Sequence, residues 1–154
     1  MIFKIIIIVF VTTLFGCGFE LVNQNYFKEY KLIDVNITGE KRIVYLLRNN
    51  LKEENKNASK NIKIDLNTNK TKKIREKNIQ NEITKYEISI RAEVDFNVLE
   101  NNKSGKFSIL VNSDYNVSEK YSDTLNNEKK VLKNLVNDLS DQIIKNLQIK
   151  LNEL

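Results

Sequence analysis

The residues of this chain with the most sharply defined chemistry are Leu14-Phe15-Gly16-Cys17. They close an apolar run, Ile5–Phe15, that follows one early charge at Lys4. A short charged region, an apolar core and a small residue before the cut are the parts of an export signal. The chain's one cysteine stands directly after that small residue. A bacterial lipoprotein signal needs a thiol there, because it accepts a diacylglyceryl group and becomes the first residue of the mature chain. Two plainer readings compete: an ordinary secretory signal followed by an unrelated free thiol, and an uncleaved membrane anchor. The anchor is disfavoured because the run falls well short of the ~20 apolar residues that span a bilayer. The expectation is therefore cleavage before Cys17. Residues 1–16 are then the signal peptide, Cys17 the lipid attachment site, residues 17–30 a tether and residues 31–154 one domain. Gly18 rather than aspartate follows the cysteine, which allows delivery to the outer membrane.

The rest of the composition narrows the chemistry further. Histidine is absent and the one thiol is committed to lipid, so neither a histidine or thiolate metal site nor a Ser-His-Asp arrangement can be built. No metal or cofactor is implied, and the chain reads as a non-enzymatic protein. Proline is also absent, against a Pro-rich stalk. The formal charge of +5 comes from lysines spread through an Asn-rich chain, and an exported protein should not meet nucleic acid. Attraction to an anionic lipid or phosphorylated glycolipid is the physically reasonable alternative.

The sharpest electrostatic feature is Lys70, Lys72, Lys73, Arg75 and Lys77, a run in which Glu76 is the one acidic residue. It can be a solvated hairpin tip. It can equally contact the phosphates or carboxylates of an anionic partner through charge-assisted bonds, with Arg75 able to bind in bidentate fashion. Glu87, Glu93 and Asp95 also align, but Lys85 and Arg91 between them make that row the soluble side of a sheet rather than a carboxylate pair for hydrolysis.

Periodicity supplies the elements that would position these residues. Lys31–Ile37 alternates as a first strand, with Ile33, Val35 and Ile37 on its apolar face. Thr38-Gly39 turns the chain into a helix over about Glu40–Glu54, whose apolar side is Ile43, Leu46, Leu47 and Leu51. After the turn-like stretch Glu53–Asn61, the two-residue period resumes in Asn61–Thr68. Asn69–Asn81 forms the distal part of a long hairpin, its register open between strand extension and loop.

Lys85–Leu99 carries the clearest signal, with Tyr86, Ile88, Ile90, Ala92, Val94, Phe96 and Val98 alternating with polar residues. Such a strand has one buried and one wetted face, so the sheet is covered on one side. A connection over Glu100–Gly105 leads to a partner strand with Phe107, Ile109, Val111, Ser113, Tyr115 and Val117 on the matching face and Leu110 pointing outward. Asp123 or Thr124 could cap the last helix. Its stripe of Leu132, Leu135, Val136, Leu139, Ile143, Leu147 and Leu151 predicts some seven turns, roughly 40 Å. The predicted fold is α+β: a two-layer sandwich with a largely antiparallel four-stranded sheet and two helices on one face, in the order β-α-β-β-β-α.

Leu14-Phe15-Gly16-Cys17-Gly18-Phe19, followed by this element order, resembles the LPS-assembly lipoprotein family (LptE), whose mature chains begin Cys-Gly-Phe. The resemblance covers essentially the whole mature chain, mainly as pattern. It implies a non-enzymatic outer-membrane lipoprotein that plugs the lumen of the β-barrel LptD, aids its assembly and binds lipopolysaccharide during insertion into the outer leaflet. The domain would then sit on the periplasmic side or within the barrel. By the same analogy Cys17 anchors the protein, and Lys70, Lys72, Lys73, Arg75 and Lys77 contact the lipid A phosphates. The alternative is a lipoprotein accessory of another lipid-transport or envelope complex.

Overall fold

The computed structural model describes residues 30–51 and 58–153. The signal peptide, Cys17 and most of the predicted tether lie outside the described residues. The elements run β1 (Tyr30–Thr38), α1 (Lys41–Asn50), β2 (Lys60–Lys77), β3 (Ile83–Val98), β4 (Lys103–Asn116) and α2 (Tyr121–Asn152). The strands form one sheet in sequence order, β1-β2-β3-β4. β1 pairs parallel with β2, as a helical crossover through α1 requires, and the other two ladders are antiparallel. The α+β architecture with the predicted element order is the one observed.

The core follows from the alternation. Ile62, Ile64 and Leu66 of β2, Ile88 to Val98 at even positions of β3, and Ile109, Val111 and Tyr115 of β4 are all buried. They meet Ile43 and Leu47 of α1, with Leu51 just beyond, and the α2 stripe from Leu132 to Leu151. Each such side chain contributes about 1.5–3 kcal/mol by leaving water, so covering this one face dominates stability. The helices are also tied together by polar contacts. Asn50 donates to Asn137 Oδ1 and to Ser140 Oγ, both at 3.0 Å, and the buried Ser140 hydroxyl donates to the Val136 carbonyl at 2.7 Å.

Several local expectations are corrected. Ile33 is not on the apolar face of β1. The register slips between Leu32 and Asp34, leaving Ile33 as the extra residue of a bulge and 44% exposed. Leu32 packs against the core in its place, while Val35 and Ile37, beyond the bulge, keep the expected apolar face. α1 ends at Asn50, shorter than predicted, and Leu51 closes it with a backbone bond to the Leu47 carbonyl. β2 starts one residue earlier than expected, at Lys60.

The β3–β4 turn is only Leu99–Asn102, with Asn102 in the left-handed region at φ 53°. Gly105 lies inside β4, opposite Phe96, where an added Cβ would come within 2.6 Å of the ring. The glycine leaves room for the aromatic ring of the neighbouring strand to lie across it. α2 starts at Tyr121 after Lys120, so neither Asp123 nor Thr124 is its cap. Thr124 Oγ1 accepts from the Ser118 amide at 2.8 Å and so braces the preceding loop. At 32 residues, α2 spans about 48 Å.

Gly39 lets β1 turn into α1. Its φ is +137°, and a Cβ there would stand 2.0 Å from Thr68 Oγ1 and 2.6 Å from the Thr68 carbonyl oxygen. Thr68 cannot withdraw freely, since its hydroxyl donates to the Thr38 carbonyl at 2.9 Å. Gly39→Ala should therefore destabilise the full-length protein by about 2–4 kcal/mol. A fall in its thermal midpoint of roughly 5–15 °C is expected; an unchanged midpoint would show that the turn relaxes without cost.

Candidate functional site

The basic run lies on β2, and the two faces of a strand divide it. Asn69 to Ile74 continue the β2–β3 ladder, Lys70 opposite Ile90 and Lys72 opposite Ile88. Lys70 and Lys72 therefore follow Ile62, Ile64, Leu66 and Thr68 on the helix side. Lys70 reaches the Glu40 carboxylate at 2.6 Å, which accounts for Glu40 making no side-chain cap at the start of α1. Lys72 reaches Glu128 of α2 at 2.8 Å.

Lys72 sits in a small assembly. Tyr115 donates its hydroxyl to the same Glu128 oxygen at 2.8 Å. The Lys72 ammonium lies 4.3 Å from the Tyr86 ring centre and 5.2 Å from that of Tyr115. The two rings stack 5.7 Å apart at 28°. Partial burial acts to raise the Glu128 carboxyl, but hydrogen bonds from Lys72 and Tyr115 and the nearby positive charge outweigh it and hold the group below its usual value. Burial likewise acts to lower Lys72, and the bonds to Glu128 and Tyr115 prevail, leaving it raised. Burial, helped by Glu128, raises the Tyr115 phenol. This assembly clamps α2 onto the hairpin at the limit of the helix layer.

Beyond it the hairpin is uncovered. β2 is exposed from Thr71 to Lys77, and even Ile74, at an inward position, is 51% exposed. Arg75 is the extra residue of a bulge and holds its guanidinium on the open face, 3.7 Å from Glu87 and 3.8 Å from Asp114. Lys77 donates to Asn81 Oδ1 at 2.8 Å. The tip, Asn78–Glu82, is braced by Asn78 Oδ1, which accepts from the amides of Gln80 and Glu82, and Asn81 adopts φ 65°. Ile79 projects fully exposed from it. The structure therefore exposes Lys73 and Arg75 on the open face and Lys77 at the uncovered end of the hairpin, and assigns Lys70 and Lys72 to the helix side.

Arg91 enters from another strand. With Asn69, Thr71, Lys73, Ser89 and Leu110 it lines a shallow concavity of about 260 Å³ on the open face. Neither Lys73 nor Arg91 forms an ion pair among the described residues, so two cations and several hydroxyl and amide groups converge on one polar dish. Such a surface can take an anion through charge-assisted hydrogen bonds. Arg91 has no signal of its own in the sequence, where it belongs to a soluble face. Only the pairing of Asn69 with Arg91 and Thr71 with Ser89 brings it beside Lys73. Among the described residues no three His, Cys, Asp or Glu side chains converge to hold a metal, and no helix is long and apolar enough to cross a membrane.

Solved structures share this architecture. The crystal structure of rare lipoprotein B from Shewanella oneidensis matches with a TM-score of 0.61 at 14% identity, covering 79% of this chain and 98% of that one. A Caulobacter crescentus chain, provisionally described as a lipoprotein, matches with a TM-score of 0.55 at 18% identity, over 83% of this chain and 93% of that one. No known family profile matches the sequence, and no curated protein does. At these identities the likeness is one of fold: this chain has the fold of small bacterial lipoprotein domains.

The clamp carries a pH dependence. A carboxyl held lower in the folded state than in the unfolded one stabilises fully above its unfolded value and loses that contribution as pH falls through the folded value. Denaturant unfolding of the full-length protein should therefore show Glu128-dependent stability at neutral pH that fades below about pH 4.5. Glu128→Gln should lower stability at pH 7 and flatten this acid limb. An acid limb unchanged in the variant would rule out the clamp as its source.

Proposed function

We propose that this chain is a lipid-anchored, non-enzymatic partner of an LptD-like outer-membrane β-barrel, which it plugs and helps to assemble while assisting lipopolysaccharide insertion into the outer leaflet. The observation that carries the reading is the β2–β3 hairpin, which runs past the helix layer and presents Lys73, Arg75 and Lys77 away from the core. Phosphates of lipid A are ligands of matching charge. Lys73 and Arg91 in the polar dish, with Arg75 beside them, are the residues best disposed to meet them; Lys70 and Lys72 serve the fold through Glu40 and Glu128.

Two further features support it. The open sheet face, lined by Lys63, Asp65, Asn67, Ser89, Asp95 and Ser108, suits the wet interior of a large barrel. The order Cys17-Gly18-Phe19, at the head of the expected mature chain, resembles the LptE family and provides the acyl anchor. The shared fold with small bacterial lipoproteins is consistent with this reading.

Extraction of the full-length lipoprotein in mild detergent should bring down a large β-barrel in stoichiometric amount, identified by mass. Recovery of small periplasmic or inner-membrane proteins alone would replace the plug with an accessory of another envelope complex. In the same preparation, Lys73→Glu combined with Arg91→Glu should weaken lipopolysaccharide capture about tenfold or more, with Lys70→Gln close to wild type. Equal loss in all variants would show that the dish is not where lipopolysaccharide binds.

A further inference from the structure

The two edges of the sheet are treated very differently. β1 is interrupted by the bulge at Ile33 and carries Lys31 and Asp34, devices that discourage another strand from pairing there. β4 forms the other edge and, among the described residues, pairs with β3 alone. Its centre is Phe107-Ser108-Ile109-Leu110-Val111-Asn112-Ser113, a segment without charge, proline or bulge. Leu110 stands in the middle of it, 55% exposed. An uninterrupted, uncharged edge of high β-propensity is a template for one more strand.

The order of residues along β4 says which strand fits. Placed antiparallel to a second copy about a two-fold axis through Leu110, Leu110 meets Leu110, Ile109 meets Val111, Ser108 meets Asn112 and Phe107 meets Ser113. One step further out, Lys106 of each copy meets Asp114 of the other. Every pair joins residues of the same face, as a shared sheet demands. Lys106 is free to take part: it bridges Asp95 at 2.8 Å, yet its side chain is 82% exposed and its ammonium has three donors. Asp114 is 42% exposed, with Arg75 at 3.8 Å. The steric fit is equally direct. α2 approaches the edge at the cleft of about 270 Å³ beside Asp114, Tyr115 and Asn116. The residues a second copy would bring there are Ser104 and Gly105, both small.

The geometry points to β4 as a self-pairing edge: two copies of this chain join antiparallel about Leu110 into one eight-stranded sheet, closed by reciprocal Lys106–Asp114 bridges. The association is isologous, so each charged pair occurs twice. It is independent of the barrel reading.

The test uses the full-length lipoprotein in mild detergent. Opposed residues of antiparallel strands lie about 4.5–5.5 Å apart at Cα, within disulfide reach. Leu110→Cys should therefore form a covalent dimer on mild oxidation. The otherwise unaltered chain and Ser108→Cys, whose sulfurs would sit four residues out of register, should form little or no covalent dimer. Within the Leu110→Cys background, Lys106→Asp alone and Asp114→Lys alone each place like charges opposite one another and should lose most of the cross-link. Mixing the two differently tagged variants restores both bridges and should yield the mixed dimer in preference to either homodimer. Because each variant enters the mixture with its own folding defect intact, poor folding cannot imitate this rescue. A Leu110→Cys chain that remains monomeric overturns the proposal, as do equal cross-linking through Ser108→Cys and a mixture with no preference for the mixed dimer.

Discussion

One-sided burial of the β2–β3 hairpin organises this protein. Ile62, Ile64 and Leu66 face Val98, Phe96 and Val94 across the ladder, and all six side chains point to the same layer. An apolar face of that length cannot be left wet, and one short helix cannot cover it. α1 takes the β1–β2 side, and α2 runs about 48 Å beneath the rest. The opposite face, freed from packing, carries rows of lysine, aspartate, asparagine and serine. The division between a helix-clad and a wetted face is therefore the condition for any function that uses the open surface.

Where the helix layer ends, electrostatics takes over from burial. Lys72, Tyr86, Tyr115 and Glu128 form the boundary, with a cation over two aromatic rings and a carboxylate satisfying both the ammonium and a phenol. Inside this line the even positions of β2 are core; outside it even Ile74 is half in water. The run from Lys70 to Lys77 crosses the line, so residues alike in sequence have different work. Two hold helices in place, and the others face outward with a cation borrowed from β3. Lys73 and Arg91 share one polar dish on the open face, where charge-assisted bonds to an anion can form.

The sheet edges follow the same economy. β1 is blunted by a bulge and by charge; β4 is flat and uncharged through its central residues. Natural sheets seldom leave such an edge without a partner, and two-fold pairing about Leu110 sets Lys106 of each copy opposite Asp114 of the other. The proposed pairing would extend the open face across two copies without disturbing either helix layer.

Much of this was legible before any coordinates. Strict two-residue alternation in Tyr86–Val98 can satisfy only a strand with one buried face, and the leucine stripe of α2 can satisfy only a helix lying on it, because each period matches one backbone geometry. Element order and layer number followed from those local patterns. Tertiary structure decided what depends on register and on contacts between distant residues. The bulge that turns Ile33 outward arises from pairing with β2, the position of Gly105 inside a strand follows from the Phe96 ring opposite it, and the true start of α2 comes from the brace between Thr124 and Ser118. The candidate site divides in the same way. The basic run is visible as composition, but its partition between two faces, the pairing of Lys72 with Glu128 fifty-six residues away, and the arrival of Arg91 beside Lys73 are set by the ladder between strands. Periodicity is a property of consecutive residues and survives in the sequence; juxtaposition across strands is created only when the chain folds.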